Sequence, residues 1–160
     1  MFKEFLGLPL HPLVVHAAVT LIPLLALLGP VYALRARWRP KMDWAVGLLA
    51  LGAPVAAFAA TQSGEALTDA LVAKGYPQEA LDEIYYHSQQ GDWLFRFTIA
   101  LSVVTLALLV VTSDHPKAPN PPSWVGRVLS VLVVVLAVPV LIYTFRAGHS
   151  GAETLWQNTF

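Results

Sequence analysis

Five histidines carry most of the chemistry available to this sequence: His11, His16, His87, His115 and His149. A neutral imidazole is a ligand for copper, zinc and haem iron. The chain contains no cysteine. Thiolate zinc sites, iron–sulfur clusters, c-type haem attachment, disulfides and cysteine nucleophiles are therefore excluded. On a continuous helix the spacing of His11 and His16 turns them about 140° apart and separates them by about 7–8 Å in height. They can share one metal only if His11, which precedes Pro12, lies off the helix as a cap. Catalytic motifs are missing: the sequence holds no GxSxG, HExxH, P-loop or paired-glycine dinucleotide signature. Asp92 and Glu153 are the only carboxylates close to the histidine motifs and make no convincing acid–base pair. Ligand holding or electron transfer is expected, without covalent turnover.

The elements that must position these residues are apolar. The 160 residues are 56% hydrophobic and 12% charged, with a mean hydropathy of +0.60. That charge content is half of the roughly 25% found in soluble domains. Ten basic residues balance ten acidic ones, so no polycationic face exists for phosphate and nucleic acid is not a partner. Leu10 to Leu34 is 25 residues without a charge, and Trp44 to Ala60 is 17. A third apolar run, Trp93 to Thr112, is broken only by Arg96, and a fourth, Val128 to Phe145, lies between Arg127 and Arg146. Each is long enough to cross ~30 Å of hydrocarbon as a helix, and none alternates as a barrel strand would. The expectation is a single all-α domain over 1–160, a four-helix transmembrane bundle with spans at about 10–34, 42–62, 92–112 and 124–146. Prolines 23, 30, 54 and 139 fall inside spans, where bundles tolerate them. No internal repeat is apparent.

Charge sets the expected orientation. The 35–41 loop carries four basic residues, Arg35, Arg37, Arg39 and Lys41, which marks it as cytoplasmic. The first span is too long, and its leading charges too balanced, for a cleavable signal. Both termini then lie outside, in a bacterial inner membrane. The acidic 63–92 segment lies outside too, as a short helical cap: one helix over 65–74 stopped by Gly75, and another from about Gln78 running into the third span. Asp92 and Arg96 stand at i, i+4 and are expected to pair. Trp38, Trp44, Trp93 and Trp124 flank span ends as an aromatic belt.

In this frame His11, His16, His87 and His149 all lie near the outer interface, and His115 alone falls in a cytoplasmic loop. These four are the candidate metal ligands. For haem, His16 is the expected axial ligand, being the deepest, with His149 or His87 as its partner. His149 is favoured because a turn at Gly148 would fold its ring over the bundle mouth. Arg96 and Arg146 snorkel or hold haem propionates. Gly64, Gly91, Gly148 and Gly151 either admit a flat cofactor or mark helix ends.

Three segments carry a resemblance. Leu10-His-Pro-Leu-Val-Val-His16 resembles the LHPxxVH opening of the domain of unknown function 2231 family of small bacterial membrane proteins. His87-Ser-Gln-Gln-Gly-Asp92 is similar to its HxxxG pattern, and Gly148-His-Ser-Gly-Ala-Glu153 to its ending after helix 4. The segments occur in order and cover nearly the whole chain. Some relatives of this kind are fused to Rieske-type or c-type cytochrome domains, so the resemblance implies redox company. A periplasmic cytochrome c, a Rieske protein or a quinone would then be the partner, beside the lipid bilayer itself, and a homo-oligomer is allowed. The expected function is b-type haem electron transfer through a histidine-ligated site near the outer face. Copper or zinc bound by the same histidines is the alternative, and a structural or assembly subunit is the third.

Overall fold

The computed structural model describes residues 4, 5, 7–113 and 122–156. Two short strands, β1 (Glu4–Phe5) and β2 (Leu8–Pro9), pair antiparallel around Gly7, whose positive φ of 79° suits the turn. Four helices follow: α1 (Leu10–Leu34), α2 (Arg39–Ala73), α3 (Gln78–Thr112) and α4 (Ser123–Trp156). All four are long and apolar enough to cross a membrane. Large side chains on the outer surface, such as Trp44 at 70% exposure and Phe145 at 73%, face where lipid would lie. The protein is a four-helix membrane bundle.

The helices overrun the apolar stretches that contain them. The expected separate cap helix over 65–74 is the last part of α2, because no breaker interrupts the chain before Gly75. There, Gly75 N–H bonds to Val72 O and Tyr76 N–H to Leu71 O, a Schellman closure around the glycine's φ of 73°. Pro77 then caps α3, which runs unbroken from Gln78 through the third apolar stretch. Likewise α4 continues past Gly148 to Trp156, so no turn follows Arg146. At the opposite end, Arg39 donates from Nε to Tyr32 O and from Nη2 to Ala33 O. The first residue of α2 thus satisfies the last carbonyls of α1.

Each helix packs on its two neighbours in the order α1, α2, α3, α4, with α4 closing on α1, while α1 and α3 meet only sparsely across the centre. The core is built from small and branched residues that let backbones approach: Ala50, Ala53, Ala57 and Val46 on α2, Ala137, Val133 and Val140 on α4. The buried positions repeat. One constant offset carries Ile22, Leu25, Ala26, Gly29 and Tyr32 of α1 onto Thr98, Leu101, Ser102, Thr105 and Leu108 of α3, all buried. A second carries Val46, Ala50, Ala53 and Ser63 of α2 onto Val133, Ala137, Val140 and Ser150 of α4. The hairpin α1–α2 and the hairpin α3–α4 are therefore two parallel copies of one unit around the bundle axis. This overturns the expectation of no repeat; burial repeats at each of these matched positions, residue identity only at some, such as Leu25 with Leu101 and Ala50 with Ala137.

Candidate functional site

The end of the bundle where α1 begins and α4 finishes holds the imidazole chemistry. His11 sits on the first turn of α1, not off the helix, and points inward. Its Nδ1 lies 3.0 Å from Ala60 O and 3.2 Å from Ser63 Oγ, both on α2. His87, its equivalent on α3, places Nδ1 3.1 Å from Ser150 Oγ on α4 and bonds to the backbone of Ala147. The same offset that matches α2 to α4 carries Ala60 onto Ala147, Ser63 onto Ser150 and Gly64 onto Gly151.

These bonds fix the tautomer. A carbonyl oxygen only accepts, so His11 Nδ1 must carry the proton it gives to Ala60 O. Ser63 donates its own hydroxyl to Ala60 O at 3.0 Å, and Ser150 donates to Ala147 O at 3.3 Å. Both serine oxygens are left to accept from Nδ1–H. Each ring therefore keeps the lone pair on Nε2, the atom that binds a metal when the other nitrogen is held by an acceptor. The two rings face each other across the axis, centroids 6.2 Å apart and planes at 74°.

Glycines make room for them. A Cβ on Gly64 would lie 3.2 Å from His11 Cε1, and one on Gly151 would lie 2.9 Å from His87 Cε1. Gly91 and Gly148 have open space at that point, so the close approach is confined to the two glycines under imidazoles. None of the four is a helix end.

The other candidates lie elsewhere. His16 is exposed on the flank of α1, its Nδ1 2.6 Å from Pro12 O. His149 is exposed on α4, paired with Glu153 at 3.2 Å and stacked on Phe145. The expected partnership of these two has no counterpart in the geometry: both point away from the axis because they fall on the outer faces of their helices. Arg96 lies over the Trp93 ring at 5.1 Å, and Arg146 over Tyr143 at 5.8 Å. Trp93, Phe97 and Tyr143 form a stacked group between them. The arginines thus flank an aromatic surface away from the imidazole pair, and Asp92 makes no ion pair with Arg96 among the described residues. His115 lies outside the described residues. No cluster of three or more His, Asp or Glu side chains that could hold a metal is found among the described residues.

Sequence reasoning named Gly64 and Gly151 among four candidate glycines but missed the serines that anchor the rings. A signal was available: Ser-Gly occurs only at 63–64 and 150–151. Comparisons with curated proteins and with solved structures found no match. A family model described as a predicted membrane protein matches residues 7–159, nearly the whole chain that the four helices and the imidazole pair occupy. The protein belongs to the DUF2231 family of predicted membrane proteins.

Proposed function

We propose that His11 and His87 are the protein ligands of one metal centre on the bundle axis, and that the centre is a b-type haem serving electron transfer. The observation that carries this reading is a facing pair of imidazoles, each with Nδ1 anchored and Nε2 free, 6.2 Å apart. Nitrogens about 2.0–2.1 Å from a metal, on rings about 1 Å in radius, place opposed imidazole centres about 6 Å apart. Haem brings four nitrogens of its own and asks the protein for two, which is the number offered here. Zinc asks for four ligands, and the described residues supply no such set. Bound haem would supply one-electron iron chemistry. The serines would hold both rings in orientation.

A second reading is a bare copper ion between the same imidazoles. The observation favouring it is that Gly64 and Gly151 are filled by the rings themselves. A two-coordinate ion would need no flat slot.

The basic 35–41 turn and the acidic segment at the other end support an outward-facing site in the bacterial inner membrane. A cytochrome c, Rieske protein or quinone could then meet it at that face. Cysteines introduced as Trp38→Cys and Ala70→Cys test this: an impermeant reagent should label only position 70 in intact cells. The site itself is tested by purifying the chain from haem-replete cells and recording the Soret band. His11→Ala and His87→Ala should each abolish the band, while His16→Ala and His149→Ala should keep it. If wild-type protein carries copper instead, the same two variants should lose it. Equal loading in all four variants would end both readings.

A further inference from the structure

The second hairpin carries a line of buried polar atoms that the imidazole site does not use. Thr98 Oγ1, Ser102 Oγ and Thr105 Oγ1 lie on one face of α3, each no more than 3% exposed and without a hydrogen-bond partner among the described residues. Gln90 Oε1, at 4% exposure, is a fourth such atom, nearly one turn beyond His87. Hydroxyls elsewhere in the helices behave differently. Thr20, Thr61, Thr112, Ser130 and Thr144 each donate to the carbonyl four residues back in their own helix. That bond is open to any helical Ser or Thr, and leaving a buried polar group without one is costly. Three neighbouring hydroxyls turned away from it toward the interior call for a partner other than protein, and water is the partner of that chemistry. At Thr105 the neighbouring residue of α1 is Gly29, on which a Cβ would lie only 3.8 Å from Thr105 Oγ1. The first hairpin thus presents bare backbone to that hydroxyl.

The line has a polar end at the 35–38 turn. Tyr32 donates to Thr112 Oγ1 at 2.8 Å, since Thr112 donates onward to Leu108 O. Asp43, exposed at the start of α2, lies near Tyr32 and borders a surface recess with Leu109, Val110 and Ser113. From Thr112 to Thr105 is about 10 Å of helical rise, and from Thr98 to Gln90 about 12 Å. A few waters would be needed to span each gap.

We infer that Asp43, Tyr32, Thr112, Thr105, Ser102, Thr98 and Gln90 line a hydrated proton path from the 35–38 end of the bundle to the level beneath the imidazole pair. Buried polar residues inside a membrane bundle mark such routes. At each hydroxyl or water, a proton accepted on one side is matched by release of the proton held on the other. Bonds and charge balance with no oxidant or reductant. The path does not depend on which metal the imidazoles hold.

The test uses the full chain in phosphatidylcholine–phosphatidylglycerol vesicles holding a pH-sensitive dye, with a potassium gradient and a potassium ionophore. Wild-type protein should pass protons at least about threefold faster than the Thr98→Val, Ser102→Ala, Thr105→Val triple variant. Thr98→Ser and Ser130→Ala should match wild type. Replacing unpartnered hydroxyls by hydrocarbon is neutral or stabilising, so the triple variant is expected to fold. Should it not, Thr98→Val and Thr105→Val singly carry the comparison. Wild-type flux no greater than in protein-free vesicles, or unchanged flux in these variants, would overturn the path.

Discussion

At Ile22, Ala26 and Gly29 the first hairpin offers hydrocarbon or bare backbone to the bundle interior, whereas the second offers Thr98, Ser102 and Thr105 at the equivalent places. One level higher the difference vanishes: His11 on Ser63 and Gly64 matches His87 on Ser150 and Gly151. The two halves agree at the imidazole pair and at buried apolar positions such as Leu25 and Leu101, and diverge at Thr98, Ser102 and Thr105. Equivalent backbone positions need not carry equivalent chemistry.

The largest expected effect tests the frame. Leu25→Ala and Leu101→Ala remove equivalent side chains with 0% exposure, and each should cost about 2–5 kcal/mol. Reversible unfolding in mixed micelles would measure it; a difference beyond about 2 kcal/mol would break the equivalence. Next come the anchors. Ser63→Ala and Ser150→Ala should each weaken metal or haem loading about 10–100-fold, the usual cost of losing a ligand's support. Titration of the metal-free protein reads this, and loss at one serine only would show that the two rings are not used alike. The smallest effect separates two glycines one turn apart. Gly148→Ala should stabilise α4 by about 0.5–1 kcal/mol, since nothing lies near its Cβ. Gly151→Ala should forfeit that gain by pushing on the His87 ring. Equal thermal shifts in both would mean that the imidazole does not press on α4.

The four helices were legible because long uncharged runs leave a chain in water no other packing, and Gly75 and Pro77 mark their break where the structure has it. The His11–His87 pairing was not legible. Angular offset along one helix says which histidines diverge, but which helix stands diagonal to which is a property of the closed bundle. His16 read as the axial ligand because it is the deepest along its span, yet depth along a helix does not report which face a residue takes, and each step turns about 100°. His149 was misplaced by reading Gly148 as a turn; a glycine inside a packed helix stays helical when nothing asks for a positive φ. The repeat escaped notice because several matched pairs, such as Ile22 with Thr98, agree in burial and differ in chemistry.

The repeat also bears on ancestry. A single hairpin carrying one inward histidine on its first helix and one Ser-Gly on its second holds half of the proposed ligand pair together with the serine and glycine beneath it. Two identical copies related by a two-fold axis would close the same bundle, with each imidazole resting on its own chain, since a two-fold interface presents one patch to itself. Duplication and fusion would keep that mouth and free the second copy's first helix to change. Thr98, Ser102 and Thr105 stand where such a liberated copy could take on polar side chains that a strict homodimer would have had to carry twice, facing each other across the centre.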